Sequence, residues 1–146
     1  MIPSRLLASV LLLSAPAAFA FDFKSVGPAP VILYDTPSTR GVKLYIAPRG
    51  MPLQVVIGYG DWVKVRDMNG ELAWTEAKGL VARRNVVVST PGAKVYAEPD
   101  DASPVLMTAD KGVVLELVDP SAIAWVRVRH RDGILGYMRS NDLWGL

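Results

Sequence analysis

A chain of 146 residues, 51% hydrophobic and 21% charged, can build one ordinary domain or two very small ones, and this composition excludes wholesale disorder. Sixteen Lys and Arg face fourteen Asp and Glu, so a formal charge of +2 makes no electrostatic case for nucleic acid. With no cysteine and a single histidine, His130, disulfides, thiolate metal sites and thiol nucleophiles are excluded, and little is left for zinc or a serine triad.

The first twenty residues have the pattern of an address. Arg5 is the only charge before Asp22, and Leu6 to Leu13 is an apolar run too short for a bilayer span, which takes ~20 residues. Ser14-Ala15-Pro16 and the small-residue pattern Ala18-Phe19-Ala20 complete a secretory signal peptide rather than an anchor. Cleavage is expected after Ala20, with the remaining chain periplasmic or secreted.

From there the chain reads as strands. No window sustains a 3.6-residue apolar period, and Pro and Gly punctuate it every few residues. Val31-Ile32-Leu33-Tyr34, Val42 to Ile46 and Leu53 to Ile57 are short β-branched or aromatic runs. Trp62-Val63-Lys64-Val65-Arg66 alternates cleanly, with the valines on one face and Trp62, Lys64 and Arg66 on the other. It meets Glu71 to Thr75 across Asn69-Gly70, and that dipeptide predicts a two-residue type I′ hairpin turn. Val86-Val87-Val88 is a further strand, ended by Pro91-Gly92. It follows the dibasic Arg83-Arg84, expected as solvent-facing linker.

The chain then repeats itself. At a shift of 62, Tyr34, Pro37, Leu44, Ala47, Gly50, Leu53 and Val56 fall on Tyr96, Pro99, Leu106, Ala109, Gly112, Leu115 and Val118. At a shift of 63, Trp62, Val63, Val65, Arg66, Gly70, Leu72 and Leu80 fall on Trp125, Val126, Val128, Arg129, Gly133, Leu135 and Leu143. The one extra residue lies within Asp119 to Ala124, which reads as a loop, where insertion costs little. This is a tandem duplication of a unit of about 60 residues. So small a unit buries a limited core, and closing its sheet into a barrel leaves few free edges.

Each copy resembles a bacterial Src-homology-3-like (SH3b) domain. The resemblance rests on Tyr34 to Ser38, Gly50 to Val56, Gly60 to Arg66 and Gly70 to Trp74 in the first copy. In the second it rests on Tyr96 to Pro99, Gly112 to Leu117, Trp125 to Arg129 and Asp132 to Tyr137. It implies an all-β fold of two tandem SH3-like antiparallel barrels of five to six strands, over 21–84 and 85–146. It also implies a binding role, since such modules in exported bacterial proteins contact cell-wall glycopeptide or other proteins.

The candidate binding residues are Trp62, Lys64, Arg66 and Tyr34 in the first copy and Trp125, Arg127, Arg129 and Tyr96 in the second. Rings supply rigid contact area and cations pair with acidic peptides or wall polymers, so each set reads as an aromatic–basic groove. The competing reading is that Trp62 and Trp125 cover the barrel ends or the contact between copies. Trp74 and Tyr137 are expected in the core. Arg127, Arg129 and Arg131 form a basic ridge, with His130 a partly exposed edge residue. Glu98, Asp100 and Asp101 read as a solvated turn. No catalytic residues, metal or cofactor are expected. The expected function is a non-catalytic periplasmic or cell-envelope adaptor, with cell-wall glycopeptide or an envelope protein as partner. The alternative is a structural or regulatory accessory whose two barrels pack on each other and on a protein partner.

Overall fold

The structure, a computed structural model, describes residues 22–119 and 123–146; the expected signal segment and Pro120 to Ala122 of the expected loop lie outside the described residues. Two seven-stranded antiparallel sheets follow one another along the chain. The first holds β1 (Asp22–Val26), β2 (Val31–Tyr34), β3 (Lys43–Ala47), β4 (Pro52–Tyr59), β5 (Trp62–Arg66), β6 (Leu72–Glu76) and β7 (Leu80–Val81). The second holds β8 (Asn85–Val88), β9 (Ala93–Tyr96), β10 (Val105–Ala109), β11 (Val114–Asp119), β12 (Trp125–Arg129), β13 (Leu135–Arg139) and β14 (Leu143–Trp144). Their strand orders, β3-β2-β6-β5-β4-β1-β7 and β10-β9-β13-β12-β11-β8-β14, are the same order written twice. Apart from single 3-10 turns at Ala77–Gly79 and Ser140–Asp142, no helix occurs among the described residues.

The residues that repeat in the sequence are those that make this topology. Ala47 and Ala109, Leu53 and Leu115, and Val65 and Val128 are all buried, each pair filling the same place in its own core. Bulges recur between Val55 and Ile57 and between Leu117 and Asp119, where the extra residue sharpens the twist that curls a small sheet around its core. The second unit begins on the strand expected at Val86-Val87-Val88, whereas the first begins on β1, which no run of β-formers announces. β1 pairs with both β4 and β7, and β8 with β11 and β14, so each first strand ties the unit's short last strand to the rest of the sheet.

The hairpin between β5 and β6 departs from expectation. Gly70 has φ +83° but Asn69 is not in the left-handed region, so the turn is not type I′. The Gly70 N–H donates to the Asp67 carbonyl at 3.0 Å, and the Asp67 N–H donates to the Glu71 carbonyl at 3.0 Å. This is a three-residue loop ending on a left-handed glycine. Asp67 is the reason: its Oδ1 accepts the N–H groups of both Asn69 and Glu71, each at 2.9 Å, and holds the backbone in an Asx turn. The second unit repeats the geometry at His130, whose Nδ1 accepts the Asp132 N–H at 3.2 Å, with Gly133 at φ +89°. The strand register still brings β5 against β6 with Val63 opposite Thr75 and Val65 opposite Ala73.

The two units touch. Asn85 Nδ2 donates to the Gly50 carbonyl at 2.9 Å, and Phe23 meets Trp144 edge-to-face at 5.2 Å. The Arg84 guanidinium stacks on Phe23 at 5.4 Å and its Nη2 donates to the Gly145 carbonyl at 2.9 Å. Arg84 is therefore part of the junction and not free linker. Gly145, at φ +108°, lets the backbone pass close to Pro52 of the first unit; an added Cβ would stand 3.3 Å from the Pro52 Cβ.

Candidate functional site: two aromatic faces

Period-2 alternation sends Val63 and Val65 inward and Trp62, Lys64 and Arg66 outward, and the antiparallel register decides what stands beside them. Trp62 lies opposite Glu76, Lys64 opposite Trp74, and Arg66 opposite Leu72. In the second unit Trp125 lies opposite Arg139, Arg127 opposite Tyr137, and Arg129 opposite Leu135. Trp74 and Tyr137 are thus on the outer face and half-buried, correcting the expectation that they fill the core. The inward places of their strands belong to Ala73, Thr75, Gly136 and Met138.

Each face is organised around one aromatic pair. Tyr34 meets Trp62 edge-to-face at 5.5 Å and 79°, and Tyr96 meets Trp125 at 5.4 Å and 86°. Such contacts fix ring orientation beyond what burial does. Tyr34 is 6% exposed, so it props Trp62 from below rather than offering its own surface. Lys64 sits over the Trp74 ring at 5.9 Å, and Arg127 over the Tyr137 ring at 5.9 Å. The four expected residues of each unit are only partly brought together. Trp and Tyr touch, the middle cation stacks on the next aromatic, and the last arginine stands apart. Arg66 is exposed, whereas Arg129 is engaged with Glu116 at 3.3 Å.

The two faces differ most in what stands over the tryptophan. Arg139 lies over the Trp125 ring at 4.7 Å and is held by both carboxylate oxygens of Asp101, the Nε bond measuring 3.1 Å. Trp125 is therefore covered by a cation that is itself tethered. The first unit has Glu76 at the equivalent place, and Glu76 turns to Lys78 at 3.0 Å. Lys78 is held protonated to higher pH by its hydrogen bond to Glu76. Among the described residues, no cation lies over the Trp62 ring. A groove of about 410 Å³ opens beside its partner Tyr34, lined by Pro30, Ile32, Tyr34, Thr75, Glu76 and Lys78. The clamp is not expected from the sequence, in which Asp101 reads as part of a solvated turn and Arg139 carries no motif. The charge reversal between Glu76 and Arg139 was the available signal.

Asp67 also holds the far edge of the first face. The Tyr45 hydroxyl donates to Asp67 Oδ2 at 2.6 Å, and burial, followed by this bond to a carboxylate, pushes the phenol well above the usual tyrosine range.

The sheets and their repeated faces define a tandem all-β module. The model of the bacterial SH3 domain family matches residues 27–81 and 89–145, beginning in each unit just after its first strand. The chain belongs to the bacterial SH3 domain family, in two copies. No curated protein matches it. Among solved structures it is similar to NlpC2 and NlpC1 from Trichomonas vaginalis, each 16% identical with a TM-score of 0.40, over 86% and 94% of this chain and 48% and 50% of theirs. It is also similar to an NlpC/P60 family protein from Bacillus cereus ATCC 10987, 19% identical with a TM-score of 0.36, over 84% of this chain and 55% of that one. The chain thus spans about half the length of these structures. The family assignment rests on the family model.

Proposed function

We propose that this protein is a non-catalytic binding module of the cell envelope that recognises cell-wall peptide through the Trp62 face of its first unit. The observation that carries the reading is the difference between the two faces. The same aromatic pair is built twice: Arg139 covers Trp125 in one unit, while in the other a groove opens beside Tyr34, the partner of Trp62. An oriented tryptophan, a cation on a neighbouring ring and a groove of this volume suit an extended peptide with both apolar and acidic groups. The signal-like segment before Phe21 supports action outside the cytoplasm.

The non-catalytic reading has its own support. The single histidine is engaged through Nδ1 in its own hairpin turn, where it accepts the Asp132 N–H. The alternative, in which the two units bury their aromatic faces against each other, is not favoured. The hydrogen bonds and ring contacts at the junction run through Phe23, Gly50, Arg84, Asn85, Trp144 and Gly145.

Co-sedimentation with insoluble purified peptidoglycan, followed by tryptophan fluorescence, tests the proposal. The protein should pellet with the wall and Trp62→Ala should stay in the supernatant, while Trp125→Ala pellets as the parent does. Equal loss in both variants, or no pelleting of the parent, would overturn it.

A further inference from the structure

A second concavity lies between the two units, about 910 Å³ in volume and separate from either aromatic face. Its charged lining comes from three distant parts of the chain. Arg49 stands in the loop before β4, Arg83 in the connector, and His130 and Arg131 in the turn after β12. Among the described residues, no Asp or Glu lines it. The Asp132 carboxylate, largely exposed, lies 3.4 Å from His130 Nδ1. Arg84, Arg127, Arg129 and Arg139 each have a carbonyl, a ring or a carboxylate as partner. Among the described residues, the guanidinium groups of Arg49, Arg83 and Arg131 have none.

Three guanidiniums without an internal partner line one cleft, which makes it locally positive. The chain as a whole is close to neutral, so this charge is local. Apolar side chains share the lining with them, Val26 and Val81 from the first unit and Val113 and Val114 from the second, together with the polar Asn85. Planar guanidinium forks match oxyanions two atoms at a time. Separated oxyanion sites with aliphatic surface beside them fit a chain that alternates carboxylates with small apolar side chains. A phosphodiester polymer would find no use for the valines.

We propose that the cleft between the two units is a binding site for a short acidic peptide segment, distinct from the Trp62 face and independent of what that face binds. Isothermal titration of the whole protein at low ionic strength with the capped tetrapeptide Ala-Glu-Val-Glu tests it. Its Ala-Gln-Val-Gln counterpart and inorganic phosphate are the other two arms. The acidic peptide should bind, and both the Gln counterpart and phosphate should bind at least about tenfold more weakly. Because the Trp62 face also suits a peptide with acidic groups, the titrations are made in the Trp62→Ala background, where Arg49→Ala and Arg131→Ala, both at exposed positions, should each weaken the acidic peptide by about tenfold. The proposal is overturned if the acidic peptide does not bind, if the Gln peptide or phosphate binds as well, or if the arginine variants bind as the parent does. Loss of peptidoglycan binding in Trp62→Ala has no bearing on these outcomes, so the two sites stand or fall separately.

Discussion

The same substitution at two glycines of the first unit should have opposite effects. Gly70 closes the β5–β6 hairpin at φ +83°, and an added Cβ there would meet nothing within 4 Å. Gly70→Val therefore carries no clash, and its cost is the backbone strain of a β-branched residue in the left-handed region, about 1–3 kcal/mol. Gly58 lies within β4 opposite Val63, has no positive φ, and also leaves its Cβ position open. Gly58→Val removes unfolded-state freedom without strain and should stabilise by about 0.4–1 kcal/mol. A unit of this size has roughly 3–9 kcal/mol of stability at ~0.05–0.15 kcal/mol per residue, so both effects are measurable. Each kcal/mol moves the melting midpoint by about 4–8 °C in so small a domain. Denaturant unfolding followed by circular dichroism should give a lowered midpoint for Gly70→Val and a raised one for Gly58→Val. Gly70→Asn should recover most of the loss, because Asn tolerates the left-handed region. Changes of the same sign at the two glycines, or a neutral Gly70→Val, would refute the assignment of strain to this turn.

Three further outcomes follow from particular contacts. Arg139→Ala should uncover Trp125 and raise its acrylamide quenching, while lowering stability by no more than about 1 kcal/mol, since the Arg139–Asp101 pair is exposed. Gly145→Ala places a Cβ 3.2 Å from the Asn85 carbonyl oxygen and 3.3 Å from the Pro52 Cβ at φ +108°, so it should loosen the junction and split one calorimetric transition into two. A single unshifted transition would show that Gly145 does not couple the units. Tyr45 has its folded-state pKa raised by burial and by Asp67; the stability this reflects is intact below the unfolded pKa of about 10 and is lost as pH rises beyond it. Stability should fall above about pH 10, and Tyr45→Phe should flatten that fall.

Much of the fold was legible because strands with one buried face write a two-residue period. Trp62 to Arg66 showed which side chains point outward, and the repeat marked the buried places at Leu53, Leu115, Val65 and Val128. β1 was not legible, since Asp22-Phe23-Lys24-Ser25-Val26 has too few β-formers to stand out, and its place comes from pairing with β4 and β7. Asn69-Gly70 misled because the dipeptide is read without its neighbour, and the Asp67 carboxylate selected a longer loop. Trp74 was assigned inward from the average burial of tryptophan. The register opposite Lys64 puts it on the other side. The clamp joins residues 38 apart, and the arginine cleft draws on three segments, so no spacing in the chain could announce either.

The most direct test of the account is to map backbone amide shifts of the protein on titration with soluble peptidoglycan fragments. The account predicts that perturbations gather on β5, β6 and the Pro30–Tyr34 edge of the first unit, and that the Arg139-covered face of the second stays silent. Shifts centred on Trp125 and Arg139 with β5 and β6 unmoved would contradict it.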